Sequence, residues 1–204
     1  MDKKSDSKKN NHKQKMQKLK ESVDASIAAA TIDKGIGILL TGDGKGKTSS
    51  ALGMALRSIG YGFKVGVVQF IKGFHPSGEA QFFKHNHPNI TFHQMGTGFT
   101  WETQDRAGDI EAALETWVIA ENMLKDESYY LVVLDELTYM LSFKYLNEKR
   151  VLRALHSRPI NQTVVVTGRG GGKTLRDWAD TVSEVKEIKH GFNSGIMARK
   201  GVDF

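Results

Sequence analysis

Cysteine is absent from this 204-residue chain. That excludes disulfides, cysteine-ligated zinc, iron–sulfur clusters and a thiol nucleophile. Also missing is any run of ~20 apolar residues that could cross a membrane. The opening residues, MDKKSDSKKNNHKQKMQKLK, contain no apolar stretch of the kind a signal peptide or anchor needs. A cytoplasmic protein with no membrane partner is expected. The histidines show no metal-ligand spacing, and His85 and His87, one residue apart in a loop, are assigned no role. Net basic charge is missing from most of the chain. Residues 1–20 hold eight lysines and two aspartates, which accounts for the whole net charge of +6 and leaves residues 21–204 balanced. A lysine-rich tail of this kind reads as a solvated arm, and the neutral remainder gives no reason to expect a nucleic-acid partner.

What is present is an alternation of strands and helices. Residues 1–14 read as disordered, and Gln17 to Ala30 as a helix with Leu19, Val23 and Ile27 spaced by four. Residues 1–30 are thus expected to form a flexible basic arm, disordered then helical, ahead of one domain over residues 31–204. Ile36 to Thr41 is a short apolar strand. Thr48 to Ile59 reads as a helix with Leu52, Ala55, Leu56 and Ile59 on one face, stopped at Gly60. Lys64 to Phe70 is the next strand. Strand, helix, strand within ~35 residues is a βαβ unit and implies a parallel sheet. Residues 72–89, with Pro76 and Pro88, read as loop-rich. Further strands are expected at 90–95, 129–134 and 163–167. Helices are expected at 105–124, with Ile110, Ala113, Leu114, Trp117 and Leu124 facing the core, and at 148–157.

The turn after the first strand reads Thr41-Gly-Asp-Gly-Lys-Gly-Lys-Thr48. A Walker A phosphate loop is G-x-x-x-x-G-K-[ST] between a strand and a helix. Gly46-Lys47-Thr48 and both flanks fit, with Thr41 in place of the first glycine and Gly42 beside it. Glycines let successive backbone N–H groups turn inward onto phosphate oxygens, and the following helix adds its positive end. Gly42, Asp43, Gly44, Lys45, Gly46, Lys47 and Thr48 are therefore the candidate ATP cradle. Lys47 offsets phosphate charge, and the Thr48 hydroxyl can hold Mg²⁺ (or Mn²⁺). The acidic partner is Leu131-Val-Val-Leu-Asp135-Glu136, four apolar residues and then acids, which is the Walker B pattern. It brings a carboxylate to the carboxyl end of a strand, where ligands bind in open α/β sheets. Mg²⁺ needs only one or two carboxylates beside phosphate oxygens.

A second strand–glycine–lysine segment, Thr163-Val-Val-Val-Thr-Gly-Arg-Gly-Gly-Gly-Lys-Thr174, competes with the first. About 30 residues remain after it, too few for a nucleotide fold, and no apolar strand ending in acids follows. It reads as a second wall of the same pocket with Arg169 facing the site, as a nucleotide loop, or as a plain loop. The residues alone leave three functions open: hydrolysis of ATP in the manner of a RecA-type ATPase, group transfer from ATP, and nucleotide sensing.

The chain resembles the P-loop family of ATP:corrinoid adenosyltransferases, the cob(I)yrinic acid a,c-diamide adenosyltransferases. The matching segments are GDGKGKTSSALGMALRSIGYGFKVGVVQFIKG (42–73), TGFTWETQD (97–105), LDELTYM (134–140), TVVVTGRG (163–170) and the C-terminal KHGFNSGIMARKGVDF. KLKESVDASIAAA (18–30) is similar to the family's N-terminal helix. Gly171-Gly-Lys-Thr174 departs from the bulkier residues usual in the family after GRG.

The resemblance implies an α/β, RecA-like P-loop fold with a mostly parallel central sheet flanked by helices, and a homodimer. It implies that a reduced corrinoid attacks the 5′ carbon of ATP and intact triphosphate leaves, with an electron donor such as a flavoprotein supplying Co(I). On that reading Lys47 and Glu136 are catalytic, and Thr48 and Glu136 hold the metal with Asp135 close by. Phe99 and Trp101, which by residue pattern could equally be core, become the corrinoid wall. Because the cobalt itself is the nucleophile, no Ser, Cys or His nucleophile is required.

Overall fold

The computed structural model describes residues 3–71, 77–96 and 105–203. It separates into two units, Met1–Asp33 and Lys34–Phe204. The first holds helix α1 (Lys3–Ala29), which starts well before the expected Gln17. The segment has neither glycine nor proline to stop a helix, and lysine and glutamine are good helix formers. Met16, Leu19, Val23 and Ile27 are exposed along it.

The second unit is built on six parallel strands: β1 (Gly37–Thr41), β2 (Lys64–Gln69), β3 (Ile90–Gln94), β4 (Tyr129–Asp135), β5 (Thr163–Thr167) and β6 (Thr181–Glu184). Their order across the sheet is β3-β2-β4-β5-β1-β6. The connecting helices are α2 (Lys47–Gly60), α3 (Gly78–Asn86), α4 (Arg106–Lys125), α5 (Leu137–Ser142), α6 (Glu148–His156) and α7 (Gly172–Trp178), and a 3-10 turn covers Gly191–Ser194. The central strands bury side chains on both faces, so they read as continuous apolar runs instead of alternating ones. Leu131 and Val133 of β4 join Val165, Leu40, Ala51, Leu52 and Phe83 on the face covered by α2 and α3. Val132 and Leu134 join Leu39, Val166, Trp117 and Leu175 on the face covered by α4 to α7.

Two more sequence expectations need correction, and one strand went unread. The stretch expected to be loop-rich contains α3, opened by Ser77, whose side chain accepts the Ala80 N–H at 3.2 Å. The two prolines bracket this helix and do not interrupt it, and its Phe83 is buried. Leu114, expected to face the core, is 40 % exposed, and Leu56, expected on the apolar face of its helix, is 50 % exposed. Helix α2 turns Ala51, Leu52 and Ala55 inward instead, which leaves Leu56 on the rim of a shallow groove shared with Phe82. Finally, β6 was not distinguishable as a strand because all four of its residues are exposed and give no apolar pattern. Its place is set by pairing with β1.

Among the described residues, no helix is long and apolar enough to cross a membrane.

Candidate active site

Strand β1 delivers the chain to the phosphate loop at its carboxyl end. Gly42 and Gly46 have φ of 98° and 121°, a region closed to side chains without strain, which is why the loop needs glycine there. The segment after β6 braces the loop from behind. The Val185 N–H donates to Thr41 O (2.8 Å), and the Gly44 N–H donates to Val185 O (2.7 Å). A Cβ on Gly44 would lie 2.7 Å from the Lys186 carbonyl, so the brace permits no side chain. Lys47 opens α2 and is 7 % exposed. Its Nζ donates to Gly44 O at 2.8 Å. Burial holds the Lys47 pKa below the ordinary lysine value, with the Glu136 carboxylate pulling the other way.

On the acidic side, Asp135 ends β4 and is 1 % exposed. Its carboxylate accepts from the Thr48 hydroxyl (2.9 Å), the Thr167 hydroxyl (2.6 Å) and the Gln69 amide (2.8 Å). Gln69 in turn accepts from the Gln94 amide at 3.0 Å. Three donors from three neighbouring segments leave Asp135 no freedom to turn. Glu136 follows with φ 60° and ψ 21°, an uncommon left-handed conformation for a residue with a Cβ. Its N–H donates to Thr167 Oγ1 at 3.0 Å. The conformation brings Glu136 to the wall of the cleft. Burial and the Glu136 charge raise the Tyr139 pKa.

The Thr48 hydroxyl and Asp135 carboxylate are already together at 2.9 Å. Hard oxygen donors of this type, few in number, fit Mg²⁺, whose remaining positions are taken by phosphate oxygens and water. Among the described residues no group of three or more His, Asp or Glu stands ready to hold an ion unaided.

The cleft has a volume of about 920 Å³. Asp43, Gly44, Lys45, Gly46, Lys47, Thr48 and Glu136 line it, and so does Arg169 from the loop after β5. Gly42 and Asp135 stand behind the lining. Lys173 does not line the cleft and is exposed on α7. Phe99 and Trp101 lie outside the described residues. Sequence reasoning missed the far wall, made by His190, Phe192, Asn193 and Asp203 of the C-terminal segment. Asp203 pairs with Lys45 of the phosphate loop at 2.7 Å. His190 Nδ1 accepts the Phe192 N–H at 3.2 Å. No periodicity in residues 187–203 signals this wall, and the ion pair that ties it to the phosphate loop joins residues 158 positions apart.

A parallel sheet, a glycine loop opening a helix, and an acid two strands away across β5 define a RecA-like P-loop nucleotide-binding protein. Residues 33–204 match the family model of ATP:corrinoid adenosyltransferase BtuR/CobO/CobP, and residues 5–27 match that of the cob(I)alamin adenosyltransferase N terminal. The chain is similar to the corrinoid adenosyltransferase of Escherichia coli K12, at 48 % identity over 95 % of this chain and 97 % of that protein. It is similar to those of Salmonella typhimurium (47 %, 95 % and 97 %) and Pseudomonas aeruginosa (48 %, 95 % and 95 %). The chain belongs to the ATP:corrinoid adenosyltransferase family.

Proposed function

We infer that this enzyme transfers the 5′-deoxyadenosyl group of ATP to the Co(I) of a corrinoid and releases triphosphate, in adenosylcobalamin synthesis or salvage. The observation that carries the reading is a family match spanning residues 33–204, including the loop that holds Lys47. In the reaction Co(I) supplies the electron pair of the new Co–C bond. The C5′–O bond breaks, its pair leaves with triphosphate, and cobalt becomes formally Co(III).

The protein's share is positioning and charge. Backbone N–H groups of the loop from Gly42 to Thr48, apart from that of Gly44, which is given to Val185 O, and the amino end of α2 hold the triphosphate. Lys47, whose Nζ donates to Gly44 O at 2.8 Å and lies in the loop, sets its cation against the phosphate oxygens. Arg169 adds a second cation from the loop after β5. Thr48, Asp135 and Glu136 are assigned to Mg²⁺, or Mn²⁺. That cation, when bound, supplies positive charge against the departing triphosphate. Phe99 and Trp101 are assigned to the corrinoid on the TGFTW motif. We further propose that the arm over residues 1–30 is separate from a catalytic domain over 31–204, that the enzyme works in the cytoplasm as a homodimer, and that a flavoprotein-type donor supplies the electron.

The test combines Mg-ATP with chemically reduced cobalamin. A light-sensitive alkyl-cobalt product with one equivalent of intact triphosphate is expected. Robust release of ADP without any corrinoid would replace this reading with a RecA-type ATPase.

A further inference from the structure

Position 41 is where the strict phosphate-loop pattern has its first glycine. In this fold the left-handed residue is Gly42, with φ 98°. Thr41 therefore stays in β1, in register with Glu184 of β6, and is free to carry a side chain. That side chain is not spent on packing alone. Thr41 is 1 % exposed. Its hydroxyl accepts the Gly170 N–H at 3.1 Å and donates its one proton to Gly170 O.

Gly170 follows Arg169 in a segment with glycine at 168, 170, 171 and 172, all at positive φ. Such a segment loses the most backbone entropy on ordering and holds no shape by itself. Two threonine hydroxyls supply the shape. Thr138 Oγ1 donates to Arg169 O at 3.1 Å, and Thr41 holds both polar groups of Gly170. Both clamps act on the peptide that follows the Arg169 Cα or on the residue after it, and Arg169 is the residue whose cation lines the cleft. The Arg169 side chain is 59 % exposed, and its ion pair with Asp43 of the phosphate loop is long at 4.0 Å. Its own contacts therefore do little to hold it, and its backbone does the aiming.

We propose that Thr41 is a positioning residue, whose hydroxyl locks Gly170 so that the Arg169 guanidinium is presented to the phosphate chain opposite Lys47. The inference rests on the P-loop reading of the cleft. Guanidinium is suited to the role because its planar fork meets phosphate oxygens in pairs, and the gain depends on orientation.

The test is a double-mutant cycle on the full chain, read as Kd for magnesium triphosphate and as KM for ATP. Thr41→Val keeps the shape of the side chain and removes the hydroxyl. Thr41→Val and Arg169→Ala should each weaken triphosphate binding by roughly tenfold to a hundredfold, the range of a charge-assisted contact. The double variant should be no weaker than either single one, and Thr41→Ser should keep wild-type affinity. A hydroxyl with a merely structural role would give losses that multiply. Multiplying losses, or unchanged affinity in Thr41→Val while Arg169→Ala is impaired, overturns the proposal. Should Thr41→Val not fold, Thr138→Val frees the same loop from its other side and carries the same cycle. A wild-type chain that makes no adenosyl-corrinoid would overturn the adenosyl-transfer reading alone, since the triphosphate affinities decide this inference without the corrinoid.

Discussion

Two turns of this chain spell nearly the same thing: T-G-D-G-K-G-K-T at 41–48 and T-G-R-G-G-G-K-T at 167–174. They leave the carboxyl ends of adjacent parallel strands, β1 and β5, with Leu40 in register with Thr167. Each opens a helix. Yet Lys47 is buried in the cleft while Lys173 is exposed outside it. Thr48 donates to Asp135, at the end of the acidic strand, whereas Thr174 donates to Glu148, at the start of α6. The helices differ too, 14 residues for α2 against 7 for α7. What separates a phosphate loop from its near copy is therefore the company each turn keeps. The first has β6 and the segment just after it behind it, and the buried acid that ends β4 beside it. The second has only Glu148 at the start of α6 beside it, and contributes one arginine to the site of the first.

The largest expected contrast is between the two lysines. Lys47→Ala should cost roughly 10²–10³-fold in kcat/KM for ATP, the scale of a lost donor to transition-state charge. Lys173→Ala, a surface change, should stay within about twofold. Steady-state kinetics on both variants would reverse the assignment of the loops if Lys173→Ala proved the more damaging.

Next come the threonines. Thr48→Val should raise the Mg²⁺ concentration needed for half-maximal rate by about tenfold, the size of one lost contact to a charged group. Thr174→Val should leave that concentration unchanged. A Mg²⁺ titration at fixed ATP separates the two, and an equal shift in both would remove the distinction.

A smaller effect should follow pH. The buried Lys47 has its pKa below the ordinary 10.5, so it begins to lose its proton at lower pH than a free lysine. Triphosphate favours the charged form, so the KM for ATP should climb as pH rises through the lowered pKa. Lys47→Arg should flatten that climb, because guanidinium keeps its charge. Lys173→Ala should leave the profile as it is in the wild type. A flat wild-type profile up to the ordinary lysine range would show that Lys47 keeps its proton throughout.

The smallest effect concerns how the first turn's strand is held. Asp180, between α7 and β6, accepts from Lys34 (2.6 Å) and from the Gly37 N–H at the start of β1 (2.8 Å). The Lys34 bond is the first cause, and the Gly37 bond the second, that hold its pKa below 3.8. A depressed acid stabilises the fold above its unfolded pKa and loses that contribution as pH falls through the folded value. Asp180→Ala should therefore cost about 1 kcal/mol at neutral pH, discounted for partial exposure. In paired melts the gap between wild type and variant should close at strongly acid pH. A gap that persisted there would assign the loss to packing.

Much of the first turn was legible from local pattern. Ile36 to Phe70 reads as strand, glycine loop, helix and strand, and Leu131 to Glu136 as an apolar strand ending in acids, because each signal sits in consecutive residues. Helix α3 was obscured by the prolines on either side of it, and β6 by having no apolar face. The N-terminal helix starts earlier than its apolar spacing suggests, since lysine-rich sequence is permissive for helix without announcing it.

The sequence by itself determined the parallel α/β class, the glycine cradle and the acid that partners it. Each depends on hydrophobic period, glycine conformational freedom and a fixed order along a few tens of residues. Tertiary structure alone decided that Asp203 pairs with Lys45, that His190 and Phe192 form the far wall, and that Thr41 clasps Gly170. These contacts join residues 129 to 158 positions apart. They exist only because strand pairing sets β5, β1 and β6 side by side, and a contact made across a sheet leaves no periodic trace in the chain that makes it.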